Sequence, residues 1–109
     1  MERLEIALLV KSTKRIEFEQ TLDNLSEKLK KHCVSIKITD AFLSYSILAQ
    51  WKTEVEMFEA LKEDEFKILS GAIKALCEKS TIRLNDKLVG NHISTLANIN
   101  KTKLKTTKS

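Results

Sequence analysis

The chain's one tryptophan, Trp51, closes an alternating run in which Tyr45, Ile47 and Ala49 share its face. With Phe58 and Phe66 following in helical sequence, an indole there can wall a cavity between sheet and helices. The same indole can instead pack a helix onto a sheet, the commoner use of a buried tryptophan. Both readings stand on the same residues. The catalytic residue is unassigned, because the positions facing such a pocket carry almost no titratable side chain and a general base must reach the proton it takes. His32 and His92 fall at element ends, where a solvated or capping imidazole is expected. Glu54, Glu56, Glu59, Glu63, Asp64 and Glu65 crowd on helix faces and read as a solvated surface rather than an acid/base pair. Cys33 and Cys77 have neither metal-ligand nor CxxC spacing and read as half-buried small hydrophobes. No phosphate loop, dinucleotide fingerprint, zinc pattern or nucleophile elbow occurs, so no metal and no cofactor is expected.

The elements that must hold these residues follow from periodicity. Leu4, Ile6, Leu8 and Val10 alternate with Ala7 and Leu9, a strand apolar on both faces that must be covered on both. Ser12 or Thr13 offers a cap for a helix whose stripe is Phe18, Leu22, Leu25 and Leu29, with acids early and lysines late as the helix dipole prefers. Cys33 to Thr39 and Phe42 to Trp51 alternate with period two and should pair as a hairpin turning at Asp40 and Ala41. Thr53 and Glu56 have capping-box spacing for a helix with Val55, Phe58 and Leu61 inward. A break near Glu63 and Asp64 precedes a second segment carrying Phe66, Leu69, Ile73 and Leu76. A last strand runs from Thr81 to Val89, with Asn85 and Asp86 as a bulge or turn, and ends at Gly90. The order β-α-β-β-α-β is the ferredoxin-like split βαβ, an α+β sandwich.

At 109 residues, 42% hydrophobic and 31% charged, the chain is long enough to fold as one domain, set at residues 1–91, without disulfides or metals. Residues 92–109 are expected to be a partly disordered C-terminal segment in which Ile93, Leu96 and Ile99 suggest a short docked stretch before a lysine tail. Of the net charge of +4, five lysines and no acid lie in residues 87–109, which leaves −1 for residues 1–86. Basicity therefore belongs to the tail, and nucleic acid is not the expected partner. The apolar start is short and carries Glu5, against a signal peptide or membrane span, and two unpaired thiols point to a reduced, cytoplasmic protein.

The run Gln50-Trp51-Lys52-Thr53, then Phe58, Leu61 and Glu65-Phe66, resembles the antibiotic-biosynthesis-monooxygenase-like group of dimeric α+β barrel proteins. In that group a strand ending in Trp leads into a helix, a polar break, a Phe and a second helical segment. The resemblance implies a cofactor-independent oxygenase acting on a quinol or phenolic small molecule, with Trp51, Tyr45, Phe58, Phe66 and Ser70 as substrate-pocket candidates. The histidine that many members place nine residues after the tryptophan is Ala60 here, and the asparagine of some oxygenases is Ile47. Ser70 stands where the haem-degrading branch has its axial histidine, which argues against haem.

Two functional classes follow: such a monooxygenase, or a non-catalytic dimeric module that binds a small ligand or assembles. Both imply a homodimer. A four-stranded sheet with helices on one side leaves Ala7, Leu9 and Leu48 uncovered on the other, and a two-fold pair covers them with one self-complementary surface.

Overall fold

The computed structural model describes residues 1–85 and the backbone of 87–90. In β1 (Glu2–Val10), Leu4, Ile6, Leu8 and Val10 are buried, while Ala7 on the opposite face is exposed. Ser12 and Thr13 do not cap the following helix. With Lys14 they form a 3-10 turn, and α1 (Arg15–Lys30) starts from Lys14 with no side-chain cap. The stripe of α1 is the expected one: Phe18, Leu22, Leu25 and Leu29 are all buried.

β2 (Ser35–Ala41) and β3 (Ser44–Trp51) form the expected hairpin, but its tip is displaced by two residues. Ala41 pairs with Ser44, so Phe42 and Leu43 make the turn, and Phe42 takes a φ of 60° that bulky residues rarely adopt. Arg15 offsets part of that cost, its guanidinium lying 5.1 Å from the Phe42 ring centroid.

α2 (Glu54–Leu61) begins at Thr53, whose hydroxyl accepts from the Glu56 N–H at 3.1 Å. Only this half of the capping box forms. Thr53→Ala should cost about 1 kcal/mol in urea denaturation, the usual value of one cap, with an unchanged slope. Met57 and Ala60 are the buried residues of α2, whereas Phe58 and Leu61 are half-buried and Val55 is 69% exposed. Phe58 and Leu61 pack against the core as expected, but Val55 does not and Met57 and Ala60 lie deepest, a turn of the face that the chain break at Lys62 and Glu63 permits. α2 is then a separate short helix, free to turn out of phase with α3 (Asp64–Leu76), which buries Phe66, Leu69 and Ile73.

The last strand is two strands. β4 (Cys77–Leu84) leaves α3 without a loop, and β5 (Lys87–Gly90) folds back on it. Asn85 makes the corner at φ 51° and locks it to β1. Its N–H donates to the Arg3 carbonyl at 2.8 Å, its Oδ1 accepts the Arg3 N–H at 2.8 Å, and its Nδ2 donates to Glu2 Oε1 at 3.1 Å. Asparagine suits a left-handed corner because it tolerates the conformation and bonds the backbone locally.

The sheet is antiparallel with order β2-β3-β1-β4-β5. Helices cover one face, which gives the α+β ferredoxin-like order with a fifth strand added. The segment 92–109 lies outside the described residues.

On the face away from the helices, the strand register sets out three rows. Lys37, Leu48, Glu5 and Arg83 form one, Thr39, Ser46, Ala7 and Thr81 the next, and Ala41, Ser44, Leu9 and Lys79 the third. The middle row is made of small side chains. A shallow hollow of ≈ 490 Å³ lies over it, lined by Ala7, Leu9, Thr39, Ser46 and Thr81 among others. This face is more mixed than an apolar patch, and Leu9 and Leu48 are half-buried by their neighbours.

Candidate functional site at the Trp51 end of the sheet

Trp51 and Tyr45 share a face of β3 but stand six residues apart, so roughly 20 Å of extended chain separates them. They cannot wall one small cavity. Tyr45 is buried against Phe18, ring centroids 5.1 Å apart and nearly perpendicular. Its hydroxyl donates to Glu19 Oε1 at 2.7 Å, and Arg15 reaches the same oxygen at 3.2 Å. Burial pushes the phenol up to about 12, and the bond to the Glu19 carboxylate and its charge push the same way. Tyr45 therefore stays protonated at neutral pH and has its proton already committed.

At the other end, Trp51 is 1% exposed and lies 6.1 Å, centroid to centroid, from Phe66. Its indole N–H donates to the His32 carbonyl at 2.6 Å, which satisfies its one polar atom within the core. The space between sheet and helices is filled by apolar side chains. Among the described residues no polar or charged residue is buried there, apart from the hydroxyl end of Tyr45.

An open depression of ≈ 460 Å³ lies just outside Trp51, where the end of α1 meets the start of α2. Its lining includes His32, Cys33, Val34, Trp51, Val55 and Ala60, with Lys31, Lys52, Glu56, Glu59 and Glu63 adding charge. Of the pocket candidates from sequence, only Trp51 belongs to it. Phe66 is buried beneath, Phe58 and Ser70 are half-buried on α2 and α3, and Tyr45 is remote.

Sequence reasoning passed over His32. Its Nε2 lies 2.6 Å from Glu65 Oε1, with side chains 25% and 23% exposed. The contact follows from topology: α1 and α3 run in opposite directions over the same sheet face, so the end of one meets the start of the other. The hydrogen bond from His32 holds the Glu65 carboxyl below the usual carboxylate range, and partial burial opposes this only in part. Glu65 is thus ionised at neutral pH and orients the imidazole as carboxylates orient catalytic histidines. Cys33 beside it is no nucleophile: burial raises its thiol to about 11, and Sγ donates to the Leu29 carbonyl at 3.3 Å. Among the described residues no group of three or more His, Cys, Asp or Glu side chains is arranged to hold a metal ion.

No protein-family model matches the sequence, and no curated protein matches it significantly. Solved structures do. A conserved protein from Methanosarcina mazei Go1 superposes with a TM-score of 0.71 at 22% identity, covering 79% of this chain and 91% of that one. An antibiotic biosynthesis monooxygenase superposes with a TM-score of 0.72 at 15% identity, covering 79% and 97%. PA3566 from Pseudomonas aeruginosa gives 0.68 at 14% identity, covering 76% and 89%. At these identities the likeness is one of fold, and the chain carries the antibiotic-biosynthesis-monooxygenase-like α+β fold that the run from Trp51 to Phe66 resembles.

Proposed function

We propose that the chain is a homodimeric, cofactor-independent monooxygenase that acts on a small quinol or phenol at the depression beside Trp51. One observation carries this reading: the depression brings a histidine and two lysines together just outside the buried Trp51, on a fold shared with a protein named as an antibiotic biosynthesis monooxygenase. The chemistry balances without an added reductant. A quinol loses a proton, the electron-rich anion passes an electron to O₂, one oxygen atom enters the ring and the other leaves as water. All four electrons come from the quinol.

The charges around the depression narrow the substrate. Lys31 and Lys52 supply positive charge for a developing phenolate, while Glu56, Glu59 and Glu63 disfavour a substrate that arrives as a carboxylate. The expected result is oxygen consumption with methylhydroquinone and roughly tenfold less with its carboxylated analogue, as one like-charge contact implies. An oxygen electrode with a quinol panel makes the measurement. No uptake across the panel would reject the oxygenase reading in favour of the second, a non-catalytic dimeric module, which the apolar filling of the interior favours.

The homodimer is part of both readings. Its support is the sheet face opposite the helices, where the small side chains of Thr39, Ser46, Ala7 and Thr81 lie between the rows containing Leu48 and Leu9. A two-fold partner could lay its own leucines into this hollow while its hollow takes these.

A further inference from the structure

We propose that His32 is the general base of the Trp51 depression and that Glu65 is its positioning residue. The proposal rests on the oxygenase reading for its site and substrate class. Because Glu65 is ionised, it can only accept, so in the neutral form of the imidazole the proton sits on Nε2 and is donated across 2.6 Å. That tautomer leaves the Nδ1 lone pair for a substrate, and among the described residues His32 makes no side-chain hydrogen bond other than the one to Glu65. The His32 main chain is fixed independently, its carbonyl holding the Trp51 indole N–H and its N–H donating to the Leu29 carbonyl at 3.1 Å. The base is thus tied to the core residue that lies beneath the depression.

The step is a single proton transfer. The phenol O–H breaks, an N–H forms at Nδ1, and the electron pair stays on the phenolate oxygen. Glu65 balances the imidazolium, and Lys31 and Lys52 line the place where the phenolate forms. The proton returns to solvent through the partly exposed ring after product leaves.

Para-nitrophenol reports this transfer without oxygen chemistry, because its neutral and anionic forms absorb at different wavelengths. It is added at a pH where the free probe is mostly protonated. Bound to the wild-type protein it should take the phenolate spectrum; in His32→Gln it should bind within a few-fold but stay neutral, and in Glu65→Gln the phenolate fraction should fall. A neutral spectrum in the wild type, or a phenolate in His32→Gln, overturns the proposal. Should His32→Gln not fold, the wild-type spectrum decides. In turnover of methylhydroquinone, His32→Ala should lose about 10²- to 10⁴-fold in rate, the usual share of a general base, and regain part of it with added imidazole. A merely structural histidine gives no such rescue. Deprotonation of the probe without oxygen uptake would reject the oxygenase reading and keep the base; uptake undiminished in His32→Ala would do the reverse.

Discussion

Trp51→Ala should destabilise the protein by about 3–5 kcal/mol, the range for deleting a large buried aromatic side chain. Three contributions add. The indole is nearly sealed, so its apolar surface is lost from the core. Phe66 loses its ring partner. The His32 carbonyl loses its donor, and with it goes one of the ties between β3 and the end of α1. Trp51→Phe separates these terms: it keeps a ring but leaves the carbonyl bare, for a cost of about 1–3 kcal/mol. Urea denaturation followed by circular dichroism reads both variants. A cost below about 1 kcal/mol for the alanine variant would mean that the indole is not the end wall of the core, and the site built around it would lose its support.

The parts of this fold that were legible in the sequence are those set by one period over a long run. Phe18, Leu22, Leu25 and Leu29 mark α1 because helical spacing admits little else, and the alternation from Tyr45 to Trp51 marks β3 for the same reason. The Thr53 cap was legible because a cap is a local matter of one side chain and one N–H. α2 was misread in part: Phe58 and Leu61 do pack against the core, but Val55 faces out and Met57 and Ala60 lie deepest. Eight residues make only about two turns, and with Val55, Met57, Phe58 and Leu61 all apolar the pattern admits more than one inward face. Asn85 looked like a bulge or a turn, and the choice depended on Arg3 and Glu2, more than eighty residues away.

The candidate site was half legible. Trp51 could be singled out from its type and place, but pairing it with Tyr45 ignored the rise of an extended strand, which puts residues six apart at opposite ends of a small sheet. His32 and Glu65 were invisible as a pair because nothing local links them. The signal lay in the topology: in a β-α-β-β-α-β order the end of the first helix and the start of the last meet at the same end of the sheet. A histidine closing one and an acid opening the other could have been tested for contact on that ground alone.

Ala7→Arg should convert a dimer into a stable monomer. Ala7 sits in the middle of the row of small side chains, exposed on the face away from the helices, so within one chain an arginine there can reach water and leave the core untouched. In a face-to-face pair the same arginine fills the hollow that a partner's leucine should occupy and buries a charge with no partner. That cost is about 3 kcal/mol or more, which weakens association by at least roughly a hundredfold. Leu48→Lys acts at the neighbouring row and should do the same, softened by Glu5 beside it in the register. Light scattering at micromolar concentration, with thermal melts alongside, gives the reading. A wild-type dimer beside a monomeric and cooperatively melting Ala7→Arg places the interface on this face. A wild-type monomer, or a dimeric Ala7→Arg, removes the sheet face from the interface, and the pairing would then have to be sought on another surface.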